Sequence, residues 1–135
     1  MLLRNFARAA VLILCVVAQN ASAERLIAQF DGEANRNTGS FEVRAPWIMD
    51  WLVSGESGQY EVVDIALVNA DTGAFQGVAV RSKTAGNGVR LFDQSGRFYF
   101  RVDASMMKWK IKVIQLTPDE AEQYKPKTGS SVLDR

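Results

Sequence analysis

The sequence of 135 residues has no histidine, a single cysteine and only three prolines. Without histidine the chain cannot supply a Ser-His-Asp triad, a Cys-His dyad or a histidine-liganded zinc. One cysteine cannot form a disulfide within the chain. No charge sign dominates either: 16 Lys and Arg stand against 15 Asp and Glu, a net charge of +1. That balance argues against nucleic acid as a partner. Internal repeats and low-complexity segments are missing as well. What is present, 47% hydrophobic and 23% charged residues, is the composition of a folded domain.

The longest apolar run, Ala9–Ala18, has ten residues. A bilayer-spanning helix needs about 20. Arg4 and Arg8 precede this run, Gln19 and Asn20 end it, and Ala21-Ser22-Ala23 offers small residues at a cleavage site. These features match a secretory signal peptide over residues 1–23. Leu14 is bulky where a lipoprotein would need a small residue before Cys15. Cleavage after Ala23 removes 23 of 135 residues and leaves 112. It also removes two arginines and the only cysteine, so 14 basic and 15 acidic residues remain, a net charge of −1. The mature chain then has no thiol nucleophile, no disulfide and no thiolate for an iron–sulfur cluster. Its expected location is the periplasm or the exterior, with no transmembrane segment left.

The remainder reads as β-structure. Short runs of Val, Ile, Phe and Trp alternate with Gly, Asn, Asp and Ser clusters. About eight strands are expected, near residues 25–31, 40–45, 47–53, 60–69, 74–82, 89–93, 97–103 and 108–116. Asn69–Gly73 and Asp93–Gly96 read as hairpin loops closed by glycine. Asn87-Gly88 is a strong hairpin signal, because both residues accept positive φ. Phe98, Phe100 and Val102 alternate with Arg97, Tyr99, Arg101 and Asp103. Trp109, Ile111 and Val113 alternate with Lys108, Lys110 and Lys112. Period-two alternation sends the apolar set to a core and the charged set to solvent. The expectation is an all-β antiparallel β-sandwich over residues 24–116. Residues 117–135 are expected to form one short C-terminal helix and a flexible tail. Thr117-Pro118-Asp119-Glu120 marks the helix start, with an N-cap, an N1 proline and acids at the positive end.

Motifs for catalysis are weak. Ser105-Met106-Met107-Lys108 and Lys127-Thr128-Gly129 match S-x-x-K and K-T-G of penicillin-interacting serine enzymes. That chemistry needs the serine at a helix start, but Ser105 falls in a turn between strands and S-D-N is missing. Asp50 and Asp64 each interrupt an apolar strand. As a carboxylate pair they would suit a small glycan hydrolase if they shared a cleft; the plainer reading is two outward-facing acids. Asp31-Gly32-Glu33, Asp71 and Asp93 are hard oxygen donors for calcium, but none forms a multi-ligand run, and turn chemistry accounts for them. No cofactor and no metal site is expected.

Surface binding is better supported by the pattern. Trp47, Met49, Trp51 and Val53 share one strand face, and Ile48, Asp50 and Leu52 the other. Either this strand is buried on both sides, or Trp47 and Trp51 form an exposed platform for a sugar or a protein. If residues 97–103 and 108–113 form a hairpin, then Arg97, Arg101, Lys108, Lys110 and Lys112 gather beside Tyr99 on one face. Glu42 or Glu61 on a neighbouring strand would then relieve the repulsion. Such a stripe could contact an anionic envelope polymer or an acidic protein; alternatively, it is a solvated face or guards a sheet edge. The functional expectation is an exported, non-enzymatic binding module for an envelope protein or carbohydrate. The competing readings are the glycan hydrolase and a structural subunit of a surface assembly.

Overall fold

The structure, a computed structural model, describes residues 25–55 and 62–126. The expected signal peptide (1–23), Tyr60 and Glu61, and the tail from Lys127 lie outside them. The described residues form nine strands: β1 (Arg25–Gly32), β2 (Arg36–Asn37), β3 (Phe41–Val43), β4 (Trp47–Ser54), β5 (Val63–Asn69), β6 (Phe75–Ser82), β7 (Gly86–Phe92), β8 (Gly96–Ala104) and β9 (Lys108–Gln115). Sheet I has the order β1-β9-β4-β7. In sheet II, β6-β5-β8 is completed by β2 and β3, which both pair with β8. All pairings are antiparallel. The two sheets pack as a β-sandwich, as the alternation predicts.

The core is the sum of the inward sets. Met49 and Val53 of β4 and Ile111 and Val113 of β9 face Ile65, Leu67, Phe100 and Val102 of sheet II, all buried. Two indoles anchor opposite ends. Trp47 is fully buried, stacks on Phe92 at 4.2 Å and donates its Nε1–H to Gln94 O at 2.7 Å. Trp109 donates its Nε1–H to Ala34 O at 3.2 Å. Each ring thus buries its apolar body while its polar edge fixes a loop.

Two turn expectations need correction. The Asp93–Gly96 loop joins β7 of sheet I to β8 of sheet II, so it crosses between sheets and closes no hairpin. Gly86-Asn87-Gly88 lies inside β7, opposite Val53, Leu52 and Trp51. The reason is steric: a methyl on Gly88 would come within 2.8 Å of the Trp51 ring. Only glycine allows that indole to lie over the neighbouring strand. A short further strand, β2, lies in the segment between β1 and β3. Thr38 fills the gap between β2 and β3, donating its N–H to Phe100 O and accepting the Phe100 N–H with its hydroxyl. Asn69–Gly73 is the hairpin expected: the Asn69 side chain accepts from the Asp71 and Thr72 N–H groups, and Gly73 has φ 73°.

An arginine crosses each open side of the sandwich. Arg36 on β2 donates to Asp31 O on β1 at 3.0 Å. On the other side Arg90 of β7, lying over the Phe92 ring, donates to Val78 O and Ala79 O of β6 at 2.5 and 3.0 Å. Edge carbonyls that could pair with another chain are occupied in this way. At one end of sheet I, Thr117 caps α1 (Pro118–Ala121) with a full capping box to Glu120. A four-residue helix has no stability of its own. It is held by Leu116 and Ala121, which pack on Ile48 with Leu91, Ile114 and Tyr124.

Candidate functional site

The sheet topology separates the residues expected to act together. Trp47 belongs to the core and offers no platform. Trp51 is half-buried on the same inward face, packed against the core. β4 is a central strand, between β9 and β7, and the aromatic platform is withdrawn. The cationic stripe also divides. The Ala104–Lys108 turn carries the chain from sheet II to sheet I, so β8 and β9 are not paired. Arg97, Tyr99 and Arg101 lie on the outer face of sheet II, and Lys108, Lys110 and Lys112 on the outer face of sheet I. Period-two alternation reports the face of a strand but not the sheet that owns it. Asp50 and Asp64 are split by the same topology, one on each outer face, so they cannot flank one substrate. Ser105 sits in the turn, not at a helix start.

On sheet II some charges pair within the fold, while Glu42, Arg101 and Asp103 make no ion pair among the described residues. Glu42 stands directly opposite Arg97, as the sequence suggests. Arg97 also reaches Asp71 at 3.5 Å and the Ser40 hydroxyl at 3.2 Å. Asp64 and Asp103 face each other across β5 and β8, a like-charge pair that is unfavourable alone. Arg81 donates twice to Asp64, at 2.9 and 3.3 Å, and Arg101 stands one pair along the same strand.

Sheet I carries its lysines on one inner strand. β9 lies between β1 and β4, so its three lysines form a column down the middle of the face and guard no edge. Their spacing follows the strand repeat, about 7 Å from one to the next. Asp31 stands opposite Lys110 on β1, and Asp50 opposite Lys112 on β4. Glu33 pairs with Lys108 at 3.4 Å. Among the described residues, Lys110 and Lys112 make no ion pair, nor do Asp31 and Asp50. Leu52 and Val89 are 43% and 48% exposed beside them. Two shallow cavities of about 410 and 360 Å³ adjoin here and share Leu52 and Lys110. α1 covers the other end of the face, over Ile48, so the open half is bounded by a ridge.

No family model matches this chain, and no curated protein matches it at a significant level.

The sheet I face is thus a mixed patch: three lysines, three acids and two exposed aliphatic side chains. Leu52 was readable as outward from the β4 alternation; Val89 and Asp31 of β1 needed the strand pairing. Among the described residues no three acids converge on one point. In particular, Asp71 is engaged by Arg97 on sheet II, while Asp31 and Glu33 flank the lysines on sheet I. The patch offers hydrogen-bond donors, acceptors and apolar area, the groups of a recognition surface.

Proposed function

We propose that this protein is an exported, non-enzymatic binding module that recognises a protein of the cell envelope through the open half of sheet I. The observation that carries this reading is the unpaired state of Lys110, Lys112, Asp31 and Asp50 around exposed Leu52. Charges not paired within a fold can meet a partner's charges without first breaking an internal ion pair, and they set orientation and association rate. Exposed aliphatic residues amid polar ones supply the apolar centre that such contacts need. The alternating signs favour a protein over a polyanion. A uniformly anionic polymer on the lysine column would meet Asp31 and Glu33 on one side and Asp50 on the other. Export rests on the features of residues 1–23.

Site-specific photocrosslinking tests the reading. A photoreactive residue replacing Leu52 should give a discrete crosslinked protein in the native compartment, and Lys110→Glu with Lys112→Glu should abolish it. The same probe replacing Arg101, on sheet II, should give none. Equal crosslinking from both faces, or none from Leu52, would rule the surface out. Saturable binding of a neutral glycan that competes at Leu52 would replace protein by carbohydrate as the partner.

A further inference from the structure

The outer face of sheet II carries a depression of about 240 Å³, open to solvent. Drug-sized sites run to about 300–1,000 Å³, so this one suits a smaller ligand. Its floor is Ala66 of β5, a single methyl standing between Val78 of β6 and Arg101 of β8. Phe75, 59% exposed, and Val78 make one wall apolar. The other wall is charged. Asp64 and Asp103 face each other across β5 and β8, and Arg101 stands two residues before Asp103 on the same face of β8. The strand repeat sets these two about 7 Å apart. Arg81 pairs with Asp64. Arg101 and Asp103 are exposed, and among the described residues neither makes an ion pair, with the other or with a third group.

We propose that this depression binds a free α-amino acid with an apolar side chain, held as its zwitterion. The carboxylate meets the Arg101 guanidinium, whose N–H fork matches two carboxylate oxygens. The ammonium meets Asp103 on the side facing Asp64, and so offsets the repulsion between the two acids. The side chain lies over Ala66, against Phe75 and Val78. Charge complementarity selects this occupant. The lining holds two acids and two arginines, and the Arg81–Asp64 pair leaves one charge of each sign open. A simple anion on Arg101 would meet the unpaired Asp103 beside it, and a simple cation on Asp103 would meet Arg101. In an α-amino acid the nitrogen and the carboxyl carbon are only about 2.5 Å apart. Such close opposite charges suit partners at successive outward positions of one strand. The site lies on the opposite face from the proposed protein contact and does not depend on it.

Amide NMR shifts of the isotope-labelled protein, titrated with leucine, N-acetylleucine and leucinamide, test the assignment. Leucine should shift the amides of Ala66, Val78 and Arg101 saturably. N-acetylleucine keeps only the carboxylate and leucinamide only the ammonium, so each should bind at least about tenfold more weakly for want of one charge-assisted contact. Asp103→Asn should weaken leucine about tenfold or more and not weaken N-acetylleucine. Arg101→Gln should weaken leucine to a similar degree and not weaken leucinamide. Lys110→Gln, on the other sheet, should change nothing. The proposal fails if leucine gives no saturable shift, or shifts only amides of sheet I. It also fails if either singly charged analogue binds as tightly as leucine, or if both sheet II variants, shown folded by their spectra, retain full affinity.

Discussion

Two glycines of sheet I are fixed by the rings that cover them. Gly32 on β1 lies under Trp109 of β9, and Gly88 on β7 under Trp51 of β4. A methyl at Gly32 would meet Trp109 Cζ2 at 2.6 Å. The pattern repeats on both edge strands of the sheet: a bare edge backbone is shielded by an indole from the strand inside it. Gly32→Ala and Gly88→Ala are each expected to destabilise the protein by about 1–3 kcal/mol through overpacking. Urea unfolding with an unchanged slope and a lowered midpoint would verify this; no shift would mean the rings move aside freely. Sequence pattern could not reveal these contacts. Asn87-Gly88 has the composition of a turn, and its membership of a strand is decided by a tryptophan 37 positions earlier. Likewise the inward direction of Trp47 and Trp51 is decided by which face of β4 sheet II covers, a fact of topology.

Among the elements, β6 and β7 depend on Arg90. Its two bonds to β6 carbonyls come from a charged donor, and charge-assisted bonds contribute about 1.5–3 kcal/mol. Arg90→Ala should therefore destabilise the fold by roughly that amount, with the exposed side chain itself adding little packing. It should also free the Val78 and Ala79 carbonyls, so concentration-dependent association in light scattering is expected of this variant and not of the native protein. The helix offers a second case. Thr117→Ala removes the hydroxyl that accepts the Glu120 N–H, leaves the main-chain N–H of position 117 bonded to the Glu120 carboxylate, and should cost about 1 kcal/mol. The loss is local, so faster amide exchange over α1, without faster exchange in β8, is the expected signature. The alternation of β8 and β9 made both strands and their inward faces legible from the sequence. The short turn between them was not, because a tight connection can close a hairpin or step between packed sheets. The capping signal, by contrast, needed only neighbouring residues, and it was read correctly.

For the whole molecule, the division of charge between two outer faces follows from that one crossing turn. The composition is nearly neutral and both faces carry mixed charge: on sheet II Arg81 pairs with Asp64 and Arg97 with Asp71, and on sheet I Lys108 pairs with Glu33 while Lys110, Lys112, Asp31 and Asp50 make no ion pair among the described residues. Lys110→Gln with Lys112→Gln should change stability by less than about 0.5 kcal/mol, as exposed unpaired side chains do. A larger loss in thermal unfolding would make these lysines structural. The sandwich class, the core strands and the outward lysines were thus accessible from residue order, whereas which charges meet was not. One feature of the topology also sets how the domain responds to force. β1 and β9 are antiparallel neighbours, with Arg25 opposite Gln115. Tension applied through these two positions pulls apart adjacent ends and loads the β1/β9 ladder one rung at a time. The domain should therefore peel from β1 at low force instead of resisting in shear, and a tether held at either of these positions leaves the Met106 end pointing outward.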